Sequence, residues 1–137
     1  MSLYVDTSVW FAAANIRDRY NERAKLLLGR ASSRLTSDHV VVETWLLLQR
    51  RIHRAAAEKF WAGIRQGAAE VITVIATDFD VAWRITESFA DQRFSIVDRT
   101  SFAVMERLRL SRVASFDDDF AIYRYGPNRE RAFEVLR

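Results

Sequence analysis

Apolar residues recur along this chain in two rhythms. Leu3 to Val5 is a short continuous apolar run, and the stretch from Ser8 to about Ala14 continues it as a helix. Arg19 to Gly29 places Ala24, Leu27 and Leu28 at helical spacing, with Gly29 as a stop. Arg34 to Thr36 predicts a second, very short strand, and Asp38 to Ile52 with Arg54 to Gly67 a helical pair. Val71 to Ile75 is rich in β-branched residues and predicts the third strand. Helices are expected over Phe79 to Ala90 and Asp98 to Leu110, a fourth strand over Arg112 to Phe116 and a fifth over Phe133 to Leu136. Short apolar runs alternating with longer amphipathic ones predict βα units around a parallel sheet, an α/β fold.

Composition narrows the setting of that fold. At 137 residues, with no linker rich in Pro, Gly or Ser and no internal repeat, the chain is expected to form a single domain spanning 1–137. Half of it is hydrophobic and 28% charged, which excludes a disordered chain and leaves apolar surface for a partner, a dimer being the simplest. There is no cysteine, so a metal would have to be held by oxygen or imidazole. Met1 to Asp6 lacks the features of a signal peptide, and the longest apolar run, Val9 to Ala14, cannot cross a bilayer; the expectation is a soluble, cytoplasmic protein with no membrane partner. The net charge of +3 permits a polyanionic partner without requiring one.

Four acids stand in apolar surroundings: Asp6 after "SLYV", Glu43 inside "VVVETWLLL", Asp98 after "FSIV" and Asp117 after "VASF". A parallel sheet places its ligand site beyond the carboxyl ends of its strands, where the strand order reverses. Asp6 and Asp117 would share that edge if the first and fourth strands are neighbours, with Glu43 and Asp98 reaching it from their helices. Taken singly, each aspartate reads more plainly as a helix N-cap than as a ligand. Glu43 has no capping-box partner, and no Lys or Arg stands three or four residues from it; a pair with His39, one turn earlier, is the plain structural reading.

Clustered carboxylates repel one another and hold their protons unless a hard divalent cation neutralises them. Oxygen ligands select Mg²⁺ or Mn²⁺ over zinc, and such an ion activates water for phosphodiester hydrolysis.

These motifs resemble the PIN domain, and within it the VapC-type toxin ribonucleases of bacterial toxin–antitoxin modules. "YVDTSVW" is similar to the opening strand and its Asp-Thr/Ser signature, "LTSDHVVVETW" to the second motif, "FSIVDRTSFAVM" to the third and "RVASFDDDFAIYRYG" to the fourth. The resemblance spans nearly the whole chain with the motifs in family order. It implies a three-layer α/β/α fold, a parallel sheet of order 3-2-1-4-5, Mg²⁺- or Mn²⁺-dependent endoribonuclease activity on structured RNA such as tRNA or rRNA, a homodimer and an antitoxin that inhibits it. It carries the catalytic and metal-binding acids onto Asp6, Glu43 and Asp98, and onto Asp117 with Asp119 as supporting or alternative ligand. One departure stands out: many relatives carry histidines after the first helix, where this chain reads "RDRYNERA" with Tyr20 and Asn21.

Around these acids, Thr7 and Ser8, and at lower rank Thr100 and Ser101, are candidates to hold a ligand or a metal-bound water by hydrogen bonds. Arg107, Arg109, Arg112, Arg124, Arg129 and Arg131 are candidate phosphate contacts, with a solvated face the plainer reading for most. Trp10, Phe11, Trp45, Trp61 and Trp83 are assigned to the core rather than to base stacking. Other readings are a housekeeping RNA-processing nuclease of the same family, a phosphoacceptor domain, disfavoured because neither Lys25 nor Lys59 lies at a late strand end, and a binding module whose acids are only caps.

Overall fold

The computed structural model describes all residues, Met1–Arg137. Its elements follow in the order β1 (Ser2–Val5), α1 (Thr7–Ala14), α2 (Asn21–Arg30), β2 (Ser33–Ser37), α3 (Asp38–Arg51), α4 (Arg54–Arg65), β3 (Glu70–Ile72), α5 (Ala76–Ser88), α6 (Ile96–Arg107), β4 (Arg112–Ala114), α7 (Asp119–Ile122) and β5 (Glu134–Leu136). The five strands form one sheet of order β3-β2-β1-β4-β5. All four pairings are parallel. Helices cover the sheet to give the three-layer α/β/α arrangement. β1 lies at its centre, and Leu3, Tyr4 and Val5 are all 0% exposed, which is why that strand is a continuous apolar run rather than an alternating one.

Most boundaries shift by one to three residues from the sequence expectation, and three of the shifts have a visible cause. β3 stops at Ile72, because Val74 N turns to Asp38 Oδ1 (3.0 Å) instead of extending the ladder with β2. α5 begins at Ala76, three residues before Phe79, where the Asp78 carboxylate accepts from Ile75 N at 3.0 Å. α6 begins at Ile96, so Asp98 is the third residue of its helix and not its cap; Ser95 is the cap, and the two residues exchange backbone and side-chain hydrogen bonds of 3.0 Å each. The short α7 was not expected at all.

The core under β1, β4 and β5 is aromatic. Phe102 of α6 stacks on Tyr123 with ring centroids 4.3 Å apart and meets Phe120 and Phe94 edge-on at 5.0 and 5.2 Å. This packing fixes α7, and with it the 116–119 loop, against α6. Tyr4 adds a polar tie, its hydroxyl donating to Ser101 Oγ at 2.8 Å and joining the central strand to the same helix. Burial holds that tyrosine's proton far above the usual phenol range. Of the aromatic residues assigned to the core, Trp10 is buried and donates to Thr36 Oγ1 (3.4 Å), and Phe11 and Trp45 are half-buried, but Trp61 and Trp83 are 41% and 63% exposed. Helical spacing puts an aromatic residue on one face of its helix without saying that the face is covered.

Candidate active site

The strand order reverses between β1 and β4, and the acids gather there. Asp6 follows β1 at the N-cap position of α1, yet its carboxylate makes no capping bond. Its Oδ2 accepts instead from Ser8 Oγ at 2.9 Å and Ser115 Oγ at 2.8 Å. Each hydroxyl in turn takes an amide proton from the loop after β4: Phe116 N donates to Ser8 Oγ (3.0 Å) and Asp117 N to Ser115 Oγ (3.1 Å). Asp6 N donates to Ala114 O at 3.0 Å and closes the junction of the two strands.

The carboxyls act on one another. Burial, and next the charge of Asp117, push Asp6 up to about 7 against the lowering effect of Ser115 and Ser8. Asp98 is pushed up to about 8 by burial, by the Asp119 carboxyl hydrogen-bonding to it, and by the charge of Asp6. Asp117 is raised by burial and by Asp119, while Asp6 and Arg137 act in the opposite sense. Asp6, Asp98, Asp117 and Asp119 therefore share one electrostatic neighbourhood. No arginine or lysine forms an ion pair with any of the four; the nearby Arg137 pairs with Asp118 at 3.0 Å.

Glu43 is placed differently. It is half-buried on α3 and lines a cavity of about 470 Å³ with His39, Val42, Leu46, Leu47, Arg50 and Val97. Val97 precedes Asp98, so this cavity adjoins the acidic cluster, but Glu43 is not among the carboxylates acting on Asp6, Asp98 or Asp117. The His39 to Glu43 pair does not form; His39 Nδ1 lies 3.2 Å from Thr100 Oγ1 instead.

The supporting hydroxyls also divide. Ser8 holds Asp6 directly, whereas Thr100 donates to Ile96 O (2.9 Å) and Ser101 accepts from Tyr4, neither touching an acid. Thr7 Oγ1 is buried without any hydrogen-bond partner, directly after Asp6. Ser115, 0% exposed, is the functional residue that sequence reasoning missed; the one available signal was a hydroxyl between an apolar strand and "DDD".

On charge and chemistry, proton-retaining carboxyls without a basic counter-ion, together with an orphaned buried hydroxyl, fit a hard oxygen-preferring divalent cation. No three acidic or imidazole side chains converge on one point.

The proposed phosphate contacts are mostly engaged elsewhere. Arg107 pairs with Asp78 (2.9 Å), Arg112 with Glu134 (2.9 Å) and Arg131 with Glu130 (4.0 Å), while Arg129 lies over the Phe89 ring at 4.8 Å. Arg124 donates to Ala121 O at 2.5 Å, and Arg109 is exposed in a left-handed conformation at φ 57°.

Comparison with known proteins agrees with this geometry. The PIN domain family matches residues 3–124. The 23S rRNA-specific endonuclease VapC20 of Mycobacterium tuberculosis, in two strains, is 36% identical over 122 residues, or 87% of this chain and 92% of that protein. The crystal structure of M. tuberculosis VapC20, described as a sarcin–ricin loop cleaving toxin, matches with a TM-score of 0.80 over 87% of this chain and 92% of that one at 36% identity. A toxin–antitoxin complex from Klebsiella pneumoniae matches with a TM-score of 0.67 at 13% identity, covering 98% of this chain and 96% of that one. VapBC2 from Rickettsia felis, bound to a promoter DNA fragment, matches with 0.68 at 14%, covering 98% of each chain. At those two identities the likeness is one of fold. A cluster of acids at the sheet's reversal point, the family match and the 36% identical relative together place this chain in the PIN-domain family of metal-dependent nucleases, among the VapC-type toxin endonucleases.

Proposed function

We propose that this chain is the toxin of a toxin–antitoxin pair that cuts structured RNA, with 23S rRNA at its sarcin–ricin loop, the target named for VapC20, as the first substrate to try. The observation that carries the reading is the Asp6 carboxylate, buried at the β1–β4 junction without a basic partner and tied through Ser8 and Ser115 to the loop that bears Asp117. Asp6, Asp98, Asp117 and Asp119 are the residues that would hold Mg²⁺ or Mn²⁺, with Glu43 approaching from α3. Bound there, the ion supplies charge neutralisation at the scissile phosphate and an activated water. Ser8 and Ser115 fix the Asp6 carboxylate, and their hydrogen bonds lower its proton affinity against burial. The capping box holds Asp98 at the first turn of α6, whose partly positive end favours the ionised carboxylate.

The partner side of the proposal is a cognate antitoxin and a second copy of this chain, the whole acting as one domain in the cytoplasm. A cavity of about 590 Å³ between α3 and α4 beside β3, lined by Val41, Val42, Trp45, Leu46, Trp61 and Val71 among others, offers apolar surface for such association. No helix is long and apolar enough to cross a membrane.

The experiment compares the protein with its Asp6→Asn and Asp98→Asn variants on 23S rRNA, with and without a chelator. Cleavage should need added Mg²⁺ or Mn²⁺ and fall to background in both variants while their circular dichroism is kept; full cleavage by the double variant refutes the assignment.

A further inference from the structure

The loop between α1 and α2 carries a second constellation beside the acids. The Tyr20 ring stacks on Phe116 with centroids 4.6 Å apart and planes 19° apart, and the guanidinium of Arg19 covers the Tyr20 ring 4.6 Å from its centroid. Phe116 is joined to the catalytic cluster on both sides, because its amide donates to Ser8 Oγ and the next residue is Asp117. Tyr20 is 39% exposed, an unusual position for an aromatic residue whose neighbour is already stacked.

The loop is held firmly. Asp18 Oδ1 accepts from Tyr20 N at 2.8 Å, and the buried Asn21 donates its side-chain amide to Ala12 O (2.8 Å) and Ala13 O (3.3 Å) at the end of α1. A ring set in place in this way loses little freedom when it binds. Arg17 and Arg19 are exposed on the same loop and neither forms an ion pair, so the loop carries two positive charges that no carboxylate neutralises.

On the reading of this chain as an endoribonuclease, we infer that Tyr20, with Arg19 and Phe116, forms a base-stacking subsite for an unpaired nucleobase next to the scissile phosphate. Single-stranded RNA is bound by stacking of splayed bases on aromatic rings and guanidinium planes, with cations taking the phosphates. Arg19 is planar and on a flexible stem, so it can lift and close again over a base, giving a column of arginine, base, tyrosine and phenylalanine. The subsite selects RNA that presents an unpaired base at the cut, as a loop does and a continuous duplex does not.

The test uses a stem-loop RNA substrate, a 2-aminopurine probe placed in its loop, and the full-length protein with Mg²⁺. Tyr20→Leu should raise KM about tenfold, equivalent to ~1.4 kcal/mol of lost stacking, with kcat held, and should abolish quenching of the probe. Tyr20→Phe should restore both, and Arg19→Gln should raise KM by about two- to fivefold. Arg19→Gln lies wholly on the surface and reports on the subsite even if Tyr20→Leu lowers the Tm. An unchanged KM in Tyr20→Leu overturns the subsite, as does a fall in kcat alone, which would mean that Tyr20 merely props Phe116 and Ser8 against Asp6. Either result leaves cleavage by the unmodified protein intact, whereas absence of that cleavage would strike the endoribonuclease reading itself.

Discussion

Ser115 and Ser8 give their hydroxyl protons to the same oxygen of Asp6, and both are set by amides of the loop that carries Asp117. Ser115→Ala should therefore leave the fold intact and cost about 10–100-fold in metal affinity or cleavage, the usual range for a group that orients a ligand. Titration by Mn²⁺ and single-turnover cleavage would check it, and equal values for both proteins would count against the relay. Asp6, Asp98 and Asp117 could be proposed from the sequence only together, because each alone reads as a helix cap and it is the run of motifs in family order that singles them out. Ser115 could not, since a serine at a strand end is ordinary and its role depends on a hydrogen bond to a residue 109 positions away. The same distance kept the mutual influence of the carboxyls, and the choice between Asp117 and Asp119, out of reach of the sequence. Asp117 acts on Asp6, and Asp119 acts on both Asp98 and Asp117.

Between elements, the decisive contact is an ion pair whose arginine the sequence offered as a phosphate contact or as part of a solvated face. Asp78, 2% exposed at the start of α5, takes two hydrogen bonds from Arg107 at the end of α6, at 3.0 and 2.9 Å. Arg107→Ala would leave the carboxylate buried and unpaired, and should lower stability by about 3 kcal/mol in urea unfolding. A change under ~1 kcal/mol would show that Ile75 N alone satisfies Asp78. An arginine near the end of a helix looks the same in a sequence whether it faces phosphate or a buried acid. Helix existence was legible from the 3.6-residue period, but the starts of α5 and α6 were not, because each is fixed by a local exchange between a cap and the third residue. Short α7 has too few residues to show a period, and its place depends on Phe120 finding Phe102.

At the scale of the molecule, sheet order and parallel pairing were foreseeable from the resemblance to a known family and from alternating short and long apolar segments. The convergence of acids from β1, α6 and the loop after β4 required the folded chain. That convergence gives stability a pH dependence. Asp6 and Asp98 are raised from 3.8 to about 7 and about 8, so the folded state holds protons that the unfolded state releases. Their contribution is full below about pH 4 and is lost as pH climbs through 7 to 8. Without divalent ions, the Tm should fall as the pH rises from about 5.5 to about 8.5. Mn²⁺ should reverse the trend, raising stability by about 2.7 kcal/mol at a hundredfold excess over its Kd. A Tm that rises with pH and ignores Mn²⁺ would contradict the acidic cluster.

The pairing of the first strand with the fourth, Tyr4 against Val113 and Val5 against Ala114, also makes the acidic cluster a reporter of long-range order. Ser115 Oγ reaches Asp6 across 109 positions of sequence, so any nick or fragment that lets these two strands part dismantles the cluster even where its helices survive.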